Sequence, residues 1–130
     1  MLRKLLLVAL VALLGACAIL ELERPAPIPA RALDVKTDCS YRDETGGSGS
    51  LKLDVAAGRV RTFEAKANFP EHGSCRFALK DFRQVKEMPI VELAQANGSC
   101  IVRMWEQGAR VTVAFQQCER MCTGSAWDQL

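Results

Sequence analysis

Residues 101–115 read IVRMWEQGARVTVAF. Val111, Val113 and Phe115 alternate with Arg110, Thr112 and Ala114, the period of a strand with one apolar face. Residues 101–105 form a second apolar run, and Glu106-Gln107-Gly108-Ala109 between the two is a hairpin turn. This stretch sets the expectation of a β protein, and the rest of the chain extends it in both directions.

Upstream, Leu51, Leu53 and Val55 alternate with Lys52, Asp54 and Ala56, and Ala57-Gly58 turns the chain into residues 59–68. There the apolar alternation slips by one between Val60 and Phe63, which predicts a bulge. Residues 76–82 are a further strand with Phe77 and Leu79 on one face. Residues 88–94 are another, with Pro89 at its start, where a strand tolerates proline. Residues 38–42 open the sheet, and 119–130 hold one helical turn. Gly46-Gly47-Ser48-Gly49-Ser50 reads as a flexible loop and lacks the Gly-Lys-Ser/Thr ending of a phosphate-binding loop. Gly73-Ser74-Cys75 and Gly98-Ser99-Cys100 each put the same turn before an apolar strand, as a repeated hairpin unit would. The expected fold is all-β: a small antiparallel barrel or sandwich of six to seven short strands, stapled by disulfides.

Composition agrees with one packed domain. The chain has 130 residues, 49% hydrophobic and 25% charged, which argues against a disordered protein and disfavours a large enzyme and a multi-span membrane protein. Lys and Arg number 17 against 15 Asp and Glu, far from the basic surplus of a nucleic-acid binder. Arg3 and Lys4 account for that small excess, so a chain beginning after them is formally neutral.

The N-terminus has its own pattern. Arg3 and Lys4 precede the apolar residues 5–14, and Gly15-Ala16 follows, which is the order of a signal peptide. The apolar run ends by Leu20, short of the ~18 residues a spanning helix needs. Leu14-Gly15-Ala16-Cys17 resembles the lipobox of bacterial lipoproteins. That resemblance implies cleavage after Ala16 and acylation of Cys17, with two or more chains making a firm membrane anchor. With Ala18 rather than an aspartate next, it also implies transfer to the outer membrane, facing the periplasm. Two alternatives are ordinary secretion as a soluble periplasmic protein, with cleavage at Ala16-Cys17-Ala18, and an uncleaved anchor. Pro25, Pro27 and Pro29 then favour an extended tether. The expected division is a signal helix over 1–16, a lipidated N-terminus and Pro-rich tether over 17–37, and a β domain over 38–130.

An exported chain meets an oxidising compartment, so Cys39, Cys75, Cys100, Cys118 and Cys122 are disulfide candidates. Five is odd, which leaves one thiol free. Cys100 and Cys118 flank the 101–115 hairpin at comparable distances from its turn and are the expected pair. Cys118-x3-Cys122 lacks the spacing of thioredoxin-like redox centres. His72, Cys75, Cys118 and Cys122 have the donor types of a zinc site, but disulfide formation competes for the same thiols. No metal, cofactor or catalytic residue is therefore assigned. His72, the single histidine, sits in a Pro-Glu-His-Gly-Ser turn, and Ser74 beside it does not make a triad. Asn97-Gly98-Ser99 matches a glycosylation pattern without meaning in a bacterial-type lipoprotein. Trp105 ends an apolar strand. Its large ring argues for the core, while a partly exposed tryptophan there would be a binding anchor, with Gly108 as its neighbour in the turn.

Trp105-Glu106-Gln107-Gly108-Ala109-Arg110-Val111 resembles the W-x-x-G hairpin of the membrane-bound inhibitors of C-type lysozyme, which are also exported lipoproteins with a small cysteine-bearing barrel. The resemblance implies the barrel and, as an alternative function, binding of a C-type lysozyme through that hairpin or the 46–50 loop. The Ser-Gly-x-x-Tyr segment with which those inhibitors enter the lysozyme cleft has no counterpart, and Tyr41 is the only tyrosine. The leading expectation is a membrane-anchored envelope lipoprotein with a non-enzymatic structural or interaction domain and a protein partner in the envelope.

Overall fold

The computed structural model describes residues 30–130. The signal helix, Cys17 and the proline run lie outside the described residues.

The clean alternation around Gly108 becomes a two-stranded ribbon, β7 (Ile101–Gln107) and β8 (Arg110–Gln116), with Gln107 opposite Arg110. The loop is only Gly108-Ala109, shorter than the four-residue turn expected, and Gly108 at its first position has φ +62°. β5 (Phe82–Lys86) and β6 (Val91–Gln95) complete an antiparallel sheet of order β5-β6-β7-β8. The second sheet is another antiparallel meander: β1 (Val35–Arg42), β2 (Ser48–Ala56), β3 (Arg59–Phe69) and β4 (Gly73–Ala78). The fold is all-β with disulfides, as expected.

Five details differ from the sequence reading. There are eight strands, because the single strand expected over 76–82 is broken by a 3-10 turn at Leu79–Asp81, which carries the chain from one sheet to the other. The sheet begins at Val35, and Leu33 is buried in the core, so the last residues of the expected tether belong to the β domain. Ser48–Ser50, expected in a loop, is the start of β2, and the connecting turn is 43–47. Pro89 precedes its strand, which starts at Val91. The two Gly-Ser-Cys motifs occupy different places, one opening the last strand of its sheet and one the third, so they do not mark a repeat.

The inward positions of both sheets form one core. Leu53, Val55, Phe63 and Phe77 come from one sheet, and Phe82, Leu93, Val102 and Met104 from the other. Phe63 of β3 meets Phe82 of β5 edge-on at 6.2 Å, and Phe77 of β4 stacks on Phe115 of β8 at 4.3 Å. The expected bulge is present: Asp54 pairs with Thr62 and Val55 with Val60, leaving Arg61 as the extra residue. Gln84 of β5 serves the backbone on this side. Its Oε1 accepts from Val60 N–H at 2.9 Å, while its Nε2 donates to Gly58 O at 2.6 Å and Lys86 O at 3.1 Å. One amide thus ties the β2–β3 turn to the opposite sheet. Gln84→Ala leaves these half-buried groups unpartnered and is expected to lower unfolding stability by about 1–3 kcal/mol in urea titration.

The C-terminal segment is fastened to both sheets. Cys118 bonds Cys100 at the foot of β7, as expected, and Cys122 bonds Cys75 in β4. Thr123 N–H donates to Ser74 O and Ser125 N–H to His72 O, both at 2.8 Å, so residues 122–125 run alongside the start of β4. Short 3-10 turns at Glu119–Met121 and Ala126–Gln129 replace the single helical turn expected, and Ala126 is fully buried.

Candidate binding site

Trp105 stands on β7 between Met104 and Glu106. Met104 points into the core, so strand alternation puts Trp105 on the other face, with Ile101 and Arg103. Its ring is half-buried and takes no part in the core cluster. The expectation that ring size would draw it inside is overturned by the register that Met104 sets.

Trp105 instead borders a cleft of about 480 Å³ with Leu33, Pro89 and Gly108, and the two residues expected to bind a partner are brought together there. Gly108 has open space where a side chain would be. Arg31 closes one side by donating from Nε and Nη2 to Glu106 Oε2 at 3.1 and 2.7 Å. That hydrogen bond and the facing carboxylate raise the Arg31 pKa from its ordinary value. Both side chains reach solvent, so the pair orders the rim and adds little stability. The cleft offers an aromatic face and a proline beside an ion pair, a surface suited to gripping an apolar side chain from a partner.

The 46–50 loop does not share this cleft. Gly49 and Ser50 line a separate, shallow depression with Tyr41 and Arg42. The turn leading into it is organised by Asp43, whose Oδ1 accepts from Thr45 Oγ1 at 2.6 Å and from the backbone N–H groups of Thr45 and Gly47 at 2.9 Å. The Thr45 hydroxyl, with these amides, holds the Asp43 pKa below its ordinary value. A depressed carboxylate stabilises the fold above its unfolded pKa, and the contribution disappears as pH falls through the folded one. Asp43→Asn is therefore expected to flatten part of the stability loss on acidification below about pH 4, read by urea titrations across pH. On the outer face of the same sheet Glu64 is likewise held low, first by its hydrogen bond to Lys66 and by that cation's charge.

His72 is exposed, and its Nδ1 lies 3.1 Å from Ser125 Oγ, away from any nucleophile–base pairing with Ser74. Of the zinc-type donors only His72 remains, since Cys75, Cys118 and Cys122 are all in disulfides. Cys39 is the free thiol among the described residues, and it is exposed.

Cys39 also marks a second cleft, of about 320 Å³, that sequence reasoning missed. It is lined by Leu51, Ala65, Ala67 and Phe77 from one sheet, by Val113 and Phe115 of β8 from the other, and by Leu130 at the C-terminus. Ala65 and Ala67, which follow Phe63 on the inward face of β3, are small where the other inward positions are large. No family model, curated protein or solved structure matches this chain.

Proposed function

We propose that the chain is an exported envelope lipoprotein, anchored in the outer membrane through acylated Cys17 and facing the periplasm, whose β domain is a non-enzymatic binding module. The observation that carries the binding role is Trp105, a large aromatic ring held outside the core beside Leu33, Pro89 and Gly108. The signal-peptide order of residues 1–17 supports export and acylation, and the two disulfides accord with an oxidising compartment.

Fractionation of cells producing the full chain tests the anchor. The protein is expected in the membrane fraction, and Cys17→Ala is expected to accumulate as an unprocessed precursor. Recovery of a soluble periplasmic form cleaved near Ala16 would replace this reading with plain secretion. Trp105→Ala tests the site: stability is expected to fall by less than about 1.5 kcal/mol, well short of the ~3–5 kcal/mol typical of a core aromatic. A core-sized loss would remove the binding role from Trp105.

A second reading uses the same cleft. Trp105 and Gly108 border one cleft, and the resemblance of residues 105–111 to the W-x-x-G hairpin of the C-type lysozyme inhibitors supports binding of such a lysozyme there. A muramidase assay with the purified protein separates the two. Inhibition at micromolar concentration that Trp105→Ala abolishes supports the inhibitor reading, and no inhibition removes it.

A further inference from the structure

The two sheets have four edge strands, and three of them are shielded or irregular. β4 carries residues 122–125 along its start, with Cys75 bridged to Cys122. β5 has five residues and a break in register at Val85. β8 is half-buried from Val111 to Phe115. β1 has none of these devices. Its eight residues pair with β2 without a break, it contains no proline, and Asp38 to Arg42 are exposed at every position. A long, regular edge of this kind is a template for another strand.

The charges on β1 select the strand that fits. Thr37 stands opposite the buried Leu53, which puts the alternate residues Lys36, Asp38, Ser40 and Arg42 on the outer face. Neither Asp38 nor Arg42 has an ion-pair partner among the described residues. A second β1 can lie antiparallel to the first about a two-fold axis through one of its residues. With the axis at Ser40, Asp38 of each copy stands opposite Arg42 of the other, so unlike charges meet twice. With the axis at Cys39, Lys36 meets Arg42, and with the axis at Asp38 that carboxylate meets its own copy. Like charges opposed across strands destabilise both of those registers. An axis at Thr37 uses the half-buried Val35 and Thr37 in place of the exposed half of the strand. The Ser40 axis also gives Tyr41, which is 54% exposed, a neighbour in Cys39 of the other copy.

We propose that β1 is the contact surface for a second copy of this chain, paired antiparallel about Ser40 through residues 38–42. The two four-stranded sheets then become one continuous sheet across the dimer. The surface lies on the opposite sheet from Trp105 and does not depend on the role of that cleft. Five residues a side make a small contact, so the dimer is weak in solution and its charge pairs decide the register.

Cys39, the free thiol of the β domain, reads that register. About the Ser40 axis the two copies of Cys39 are diagonal neighbours about 7–8 Å apart, too far for a disulfide and within reach of a short bismaleimide. The detergent-solubilised full chain at roughly 0.1 mM is treated with bis(maleimido)ethane or with a mild oxidant, and linkage is read by mass spectrometry on the peptide carrying Cys39. The bismaleimide is expected to join two copies of that peptide, and the oxidant is expected to leave them separate. Asp38→Arg and Arg42→Asp each oppose like charges twice, and each is expected to cut linking roughly tenfold. Mixing the two variants opposes unlike charges again, so linking is expected to return between the two different chains. Both positions are exposed, so both variants are expected to fold; should either fail, the wild type decides, with linking that falls as salt screens the pairs. The proposal is overturned by no linked Cys39 peptide in the wild type, by linking unchanged in folded Arg42→Asp or by linking insensitive to salt. It is equally overturned by no recovery in the mixture of folded variants, or by a disulfide between two copies of Cys39 that forms as readily as the bismaleimide link.

Discussion

Replacing Cys75 and Cys122 together by serine is expected to lower unfolding stability by about 4 kcal/mol. The bridge closes a loop with a sequence separation of 47, against 18 for Cys100–Cys118, whose removal is expected to cost about 3 kcal/mol on the same chain-entropy account. The larger loop restrains the unfolded chain more, and that bridge also holds the C-terminal segment against β4. Domains of this size have roughly 5–15 kcal/mol in total, so losing both bridges is expected to leave the protein largely unfolded at 37 °C. Urea titrations of the two paired serine variants check the order. Equal losses, or a loss under about 1 kcal/mol for Cys75/Cys122, would mean that the C-terminal segment holds without its staple.

The second large effect concerns Phe77. Phe77 is 1% exposed, sits near the end of β4 and stacks on Phe115 from the other sheet. Phe77→Ala removes that buried area and the ring pair, with an expected cost of about 3–5 kcal/mol. The enlarged space merges with the apolar cleft that Phe77 lines. Urea titration of the variant against the wild type reads the cost. A cost near that of Trp105→Ala would show that the two sheets do not depend on this contact.

The particular residues explain which parts of this architecture were legible beforehand. The 101–115 hairpin was clear because strict alternation and a glycine at the turn point the same way. The bulge at Arg61 was visible as a slip in that alternation, and Cys100–Cys118 as two residues flanking one hairpin. The break at Leu79–Asp81 was hidden because a 3-10 turn there continues the apolar spacing of Phe77 and Leu79 before Phe82 begins the next sheet. Three prolines masked the start of the domain, since their composition spilled over onto Leu33 and Val35.

Function was less legible because both clefts are tertiary facts. Trp105 could be assigned to a face only after Met104 was known to point inward, and the sequence supplies the alternation without its phase. The second cleft needs Ala65 and Ala67 on β3 to face Val113 and Phe115 on β8, strands that are never hydrogen-bonded neighbours. Cys118 and Cys122 are four positions apart and look like one motif, yet each reaches a different sheet.

The intact mass of the protein extracted from membranes tests the functional reading most directly. The expected species begins at Cys17, carries acyl chains on that residue, and contains two disulfides with Cys39 free. A full-length chain in the soluble cell extract, with its leader retained and every cysteine reduced, would contradict it.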